Sequence, residues 1–185
     1  MISEILQDAG GRMQGAVNAL QSDLAGYRTG RASTGLVEKL MVEMYGTEMP
    51  LNQMASLSTP EPQQIAIRPY DANSISAIER AILKSDLGLM PNNDGKLIRL
   101  NIPPLTEDRR RDLSKQVGRR VEEAKIAVRN VRRDALNDIR EMETEKMVSE
   151  DESHRGQDDL QKLTDKYVAK IDEAGSDKEK EIMEV

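Results

Sequence analysis

The sequence contains no cysteine, no phenylalanine and no tryptophan, and its 185 residues include one histidine and four tyrosines. Without cysteine there is neither a disulfide framework nor a thiolate zinc site, which fits a reducing cytoplasm. So few aromatic rings leave nothing from which to build a base-stacking sheet of the RNA-recognition kind. A lone imidazole, His154 in a polar segment, cannot assemble a histidine metal site. No Ser–His–Asp set and no Gly-rich phosphate loop can be recognised in the chain. No apolar run approaches membrane length, and Met1-Ile2-Ser3-Glu4 lacks a charged-then-apolar signal pattern. These absences predict a soluble cytoplasmic protein that is not an enzyme, with no catalytic residues, no metal site and no cofactor.

What the chain has in quantity is charge. Charged residues make up 32% of it and the net charge is −6, but the signs are segregated. Arg109, Arg110, Arg111, Lys115, Arg119, Arg120, Lys125, Arg129, Arg132 and Arg133 crowd one stretch, against Glu107, Asp108, Asp112, Glu122 and Glu123, which leaves it about +5. Residues 150–185 then carry twelve acids and six bases. A basic surface concentrated on an acidic chain suits a polyanion. Two antiparallel helices whose opposite charges pair would account for part of the same pattern. The acids Asp151, Glu152, Asp158 and Asp159 read as a capped, acidic helix start rather than a metal site.

Apolar periodicity organises the rest. Ile2, Ile5, Leu6, Ala9, Met13, Ala16, Val17, Leu20, Leu24 and Tyr27 recur at three- and four-residue spacing, which predicts an amphipathic helix of about seven turns. Gly10, Gly11 and Gly15 each weaken it by up to ~1 kcal/mol relative to Ala, so it needs tertiary packing, and Gly30 supplies a stop. Between Ala32 and Pro104 the rhythm shortens. Val37–Met44 reads as a strand followed by a turn at Tyr45-Gly46-Thr47, and Pro50-Leu51 and Leu57 as short edge pieces. Gln64–Arg68 is a strand stopped by Pro69. Ser74–Leu87 is a helix with Ile75, Ile78, Ile82 and Leu83 on one side and Gly88 at its end. Asn92-Asn93-Asp94-Gly95 is a turn before a strand over Leu97–Ile102.

After Pro103-Pro104, Thr106 caps a long helix whose seam runs Leu113, Val117, Val121, Ala124, Val128, Val131, Ala135, Ile139 and Met142. Reaching Val148, it would be roughly 60 Å long. Ser149-Glu150-Asp151-Glu152 is a capping box opening a third helix, with Leu160, Leu163, Tyr167, Ile171 and Ala174 toward a partner and Gly175 ending or bending it. Three striped helices bury their stripes on one another. The expectation is an α+β protein: a three-helix bundle from 1–30 plus 105–185, with a small β/α/β domain, 31–104, inserted. The two crossings, Gly30, Arg31, Ala32 and Ser33 with Ile102, Pro103, Pro104 and Leu105, form the predicted hinge.

On a helical wheel with Val131 at the origin and about 100° per residue, the seam occupies a sector of roughly 80°. Lys125 falls at about 120°, Arg129 at about 160°, and Arg133 and Lys115 both at about 200°. Arg132, at about 100°, lies on the seam's edge. These cations are expected on a solvent face, with the stem of Arg132 packed and its head in water. Guanidinium groups bind phosphate with paired hydrogen bonds, which makes arginine the informative choice. Arg28 and Arg31, flanking Thr29-Gly30, can add to that surface or simply compensate a helix C-terminus. A helical protein-interaction adaptor or chaperone with solvated arginines remains the alternative reading.

The chain resembles the bacterial-type ribosome recycling factors over nearly its full length. The residues that carry the resemblance are Tyr27–Ser33, Ser85–Leu89, Pro103–Arg110, Val128–Ala135 and Gln157–Asp165, five segments in order at suitable spacing. Met90, where Asn is expected before the proline, and Asn101 in the last strand depart from the pattern and bear on partner fit in the small domain. The resemblance implies an elongated, L-shaped molecule, tRNA-like in outline, with a hinge between bundle and small domain. It implies a monomer without a catalytic centre that binds the large ribosomal subunit after termination. With elongation factor G, which binds the GTP, such a factor splits the post-termination complex into subunits. Carried over by position, Arg28, Arg31, Arg129, Arg132 and Arg133, with Lys125 beside them, would contact ribosomal RNA, while the small domain and hinge receive the translocase's push.

Overall fold

The computed structural model describes residues 1–27 and 29–184. In chain order the helices are α1 (Ile2–Ala25), α2 (Leu51–Met54), α3 (Ile75–Lys84), α4 (Glu107–Thr144) and α5 (Glu150–Met183). The strands are β1 (Met41–Met44), β2 (Thr47–Pro50), β3 (Ala55–Glu61), β4 (Gln64–Pro69), β5 (Pro91–Asn93) and β6 (Ile98–Asn101). The fold is α+β, and it divides into two compact units. One is Met1–Leu24 with Ser114–Lys180; the other is Ala25–Leu113 with Glu181–Val185.

In the first unit the stripes do what their spacing predicts. Ala9, Met13, Val17 and Leu20 of α1, Val117, Val128, Val131, Ala135 and Ile139 of α4, and Leu160, Tyr167 and Ile171 of α5 are all buried. At 38 residues α4 is about 57 Å long. It starts where Thr106 accepts the backbone N–H of Arg109 at 3.2 Å. It stops at Thr144 rather than Val148, because Lys146 turns left-handed at φ 59°. The N–H groups of Lys146 and Met147 then close on the carbonyls of Glu143 and Met142, a Schellman ending without glycine.

The capping box of α5 is present in both directions. Glu152 N–H donates to the Ser149 hydroxyl at 3.2 Å, and Ser149 N–H donates to the Glu152 carboxylate at 2.8 Å. The Ser149 backbone N–H, helped by its hydroxyl, holds the Glu152 carboxyl below the ordinary glutamate value. A carboxyl depressed in the folded state stabilises it above its unfolded pKa and loses that contribution as pH falls through the folded one. Wild type should therefore lose stability below about pH 4.3 more steeply than Glu152→Gln, measured by thermal melting across an acid series. Equal slopes would assign the acid response to other carboxylates, such as Asp94, which the N–H groups of Leu97 and Lys96 depress in the same sense.

Gly175 does not end α5, which runs on to Met183. It lies buried inside the helix, where an added Cβ would stand 2.6 Å from a methyl of Val121 on α4. Glycine here is a close-approach residue between two helices. Its sequence signature, a glycine in a polar helical run, is indistinguishable from a stop signal.

The second unit holds an antiparallel four-stranded sheet in the order β3-β4-β6-β5, a separate β1-β2 hairpin, and α3. Ile65, Ile67, Ile98 and Leu100 point inward by strict alternation and pack with Ile75, Ile78 and Ile82 of α3, all buried. The hairpin turns on Tyr45 (φ 53°) and Gly46 (φ 75°), both left-handed as a two-residue primed turn requires. Three local expectations are corrected. Val37–Leu40 is not strand: Ser33 accepts Gly35 N–H and nucleates a 3-10 turn at Thr34–Leu36, so β1 begins only at Met41. Leu51 starts the short α2 instead of an edge piece, while Leu57 does lie in β3. Helix α3 ends at Lys84, three residues early, and Leu83 is 56% exposed rather than on the buried side.

Candidate nucleic-acid interface

The basic stretch lies on α4, and its neighbours sort the cations by angle around the helix. On one flank, Arg120 is bonded to Asp23 of α1 and to Glu123, and Asp134 pairs with Arg12 of α1 at 3.1 Å. On the other, Lys125 pairs with Asp172 of α5 at 2.6 Å, and Arg132 donates Nε to Gln161 of α5 at 2.9 Å. Helices α1 and α5 therefore cover the two flanks of α4. The sector opposite the seam, from about 160° to about 240° on the Val131 wheel, faces solvent.

Within that sector the structure places Arg129 and Arg133, both exposed. Arg129 reaches back to Glu122 at 3.1 Å, an ion pair with both side chains more than half exposed and so a weak one, readily exchanged for a phosphate. Arg133 has no hydrogen bond or ion pair among the described residues. Arg132 is half-buried as its seam-edge position predicts, and because Gln161 engages only Nε, its two terminal nitrogens stay available. Lys125 is the correction. It was expected in solvent, but its side chain is only 21% exposed and is neutralised by Asp172. A wheel drawn on one helix shows a single seam, whereas a three-helix bundle covers two flanks, and Lys125 sits on the second.

Arg31 belongs to the other unit. Its side chain is exposed and pairs with Glu184 at 3.2 Å. Nearby, buried Thr29 donates its hydroxyl to Glu181 at 2.9 Å. Arg28 lies outside the described residues. At Gly30 the backbone is left-handed at φ 77°, and an added Cβ would crowd the Leu105 backbone nitrogen at 3.2 Å. Ala32 N–H bonds to the Pro62 carbonyl at 2.6 Å and Ile102 N–H to the Gln63 carbonyl at 2.8 Å, so both crossings are tied to the β3–β4 turn.

The described residues contain no metal-binding cluster of histidine, cysteine or acidic side chains, and no helix long and apolar enough to cross a membrane.

The profile of the ribosome recycling factor family matches residues 20–183. The chain belongs to the ribosome recycling factor family. It is 55% identical to the ribosome-recycling factor of Chloroflexus aurantiacus and 54% to that of Roseiflexus castenholzii, over the whole of both chains in each case. A solution structure of a ribosome recycling factor superposes with a TM-score of 0.80 at 45% identity, covering 100% of this chain and 98% of that one. A second match is to models for the T. thermophilus ribosome recycling factor and the E. coli elongation factor G bound to the E. coli post-termination complex. It has a TM-score of 0.72 and 42% identity, with both chains fully covered.

Seen as a recycling factor, the chain places Arg129 and Arg133 of its Val128–Ala135 segment on the solvent sector of α4 and Arg132 on the flank beside α5. Sequence reasoning did not count Lys115 and Arg119 among the contacts, yet both are exposed on that sector with no ion pair among the described residues. Their place on the wheel, opposite the seam, was the available signal.

Proposed function

We propose that this chain recycles ribosomes: after peptide release it binds the large ribosomal subunit and, with elongation factor G and GTP, separates the post-termination complex into subunits. The GTP belongs to the elongation factor. The chain acts in the cytoplasm as a monomer, contributes no catalytic step and needs no cofactor. The observation that carries the reading is family membership over the full chain, combined with an arginine cluster on α4 that intramolecular contacts leave largely free. Arg28, Arg31, Arg129, Arg132 and Arg133 are its contacts to ribosomal RNA, and Lys125 joins them only by giving up Asp172.

The mechanical division we infer is 1–30 plus 105–185 against 31–104, with motion at Gly30–Ser33 and Ile102–Leu105. Gly30 supplies rotational freedom, and Pro103-Pro104 cannot donate to a hydrogen-bonded ladder. Within those crossings Ala32 and Ile102 are bonded to the β3–β4 turn, so the larger part of the motion is assigned to Gly30-Arg31 and Pro103–Leu105. An anchored bundle and a pivoting small domain would turn the translocase's push into separation of the subunits.

Co-sedimentation with purified large subunits tests the binding half. Bound protein should fall steeply between low and raised salt, as counterion release demands for a phosphate contact. A polysome-splitting assay with elongation factor G and GTP tests the rest. Failure to bind large subunits at low salt would sink the reading and favour the protein-interaction adaptor.

A further inference from the structure

The solvent sector of α4 carries more than the arginines of the family motif. Lys115 and Arg119 lie one helical turn apart on it, and Arg129 and Arg133 lie one turn apart further along. All four are exposed, and Lys115, Arg119 and Arg133 have no bonding partner among the described residues. Each pair spans about 6 Å, and the pair centres are about 21 Å apart along the axis.

Between the pairs the surface changes character. The same sector there presents Glu122 and the 47%-exposed Ile126, a carboxylate and an apolar side chain where a continuous phosphate track would need cations. Beside the first pair, Gly118 is exposed with nothing within 4 Å of where its Cβ would be. No packing inside the protein requires glycine at that point, and Gly118 costs α4 about 1 kcal/mol of helix propensity. The missing side chain lets a ligand's backbone come close to the helix.

We propose that Lys115 and Arg119 form a second phosphate-gripping pair, so that α4 takes an RNA duplex by both of its backbones, one at Lys115–Arg119 and the other at Arg129–Arg133. A single strand following the helix would have to run its phosphates past Glu122. A duplex lying across the helix instead presents its wide minor groove to the gap. There 2′-hydroxyls and base edges can donate to a carboxylate and touch an isoleucine. The inference deepens the large-subunit reading and rests on it.

Two measurements on the full-length protein and purified large subunits test it. The first compares salt slopes of binding for wild type, Lys115→Gln/Arg119→Gln and Arg129→Ala/Arg133→Ala, with circular dichroism and melting as folding controls. Each double variant should lower the slope by about two, one per phosphate contact. If only the Arg129/Arg133 variant responds, the second pair is refuted while the recycling reading stands. If wild type does not bind, the recycling reading itself fails. The second uses the absence of native cysteine. An iron chelate tethered at Ala127→Cys, exposed between the pairs and off the sector, should cut both strands of one ribosomal RNA helix. Cuts confined to one strand would overturn the duplex geometry.

Discussion

Replacing Arg129 and Arg132 together by alanine is expected to weaken binding to the large ribosomal subunit on the order of a hundredfold while leaving the fold intact. Each side chain would lose a charge-assisted hydrogen bond to phosphate of about 1.5–3 kcal/mol. Two such losses, reduced by the contacts each already makes, leave about 3 kcal/mol. The intramolecular losses are small. Arg129 forfeits an exposed pair with Glu122, worth little in water. Arg132 forfeits one neutral acceptor on Gln161. Alanine is the best helix former, so α4 should not fray. Co-sedimentation of the double variant beside wild type, with the helical circular dichroism signal of each, is the check. A variant that binds as wild type would return these arginines to ordinary surface, and one that loses helicity would give them a structural role instead.

Gly175→Val is expected to cost the bundle about 3 kcal/mol, whereas Gly118→Ala should gain it up to about 1 kcal/mol. Both glycines sit inside long helices, and propensity alone would favour replacing either. At Gly175, however, a Cβ would come within 2.6 Å of Val121 on the neighbouring helix. A branched side chain would push α5 away from α4 and open the packing beyond it. At Gly118 there is nothing to meet. Thermal melting of the two variants should move in opposite directions, the first falling by roughly 10 °C for a chain of this size. A Gly175→Val protein that melts with wild type would mean that the two helices separate at little cost. Gly118→Ala carries a second consequence: if its open backbone serves an RNA strand, the stabler protein should bind large subunits less tightly.

Much of this protein was legible in its sequence because local chemistry fixes it. The stripes of α1, α4 and α5 were readable at helical spacing, since each helix must bury one face. The caps at Thr106 and Ser149 followed from side chains that satisfy N–H groups at a helix start. The alternation of Ile65 and Ile67 marked β4, and the five motif segments pointed to the family. Tertiary structure decided what periodicity cannot express. An angle on a wheel says how far Lys125 stands from one seam, but not that α5 brings Asp172 to it. That contact removes Lys125 from the free surface and leaves Lys115 and Arg119, similar on paper, exposed. Gly175 and Gly118 look alike in sequence and differ only in whether a second helix lies against them. The exposure of Leu83 likewise depended on what packs against α3, whereas the late start of β1 is a local effect of the 3-10 turn that Ser33 opens at Thr34–Leu36. Residues declare their own preferences locally, but which neighbour satisfies, neutralises or excludes them is set by packing between segments far apart in sequence.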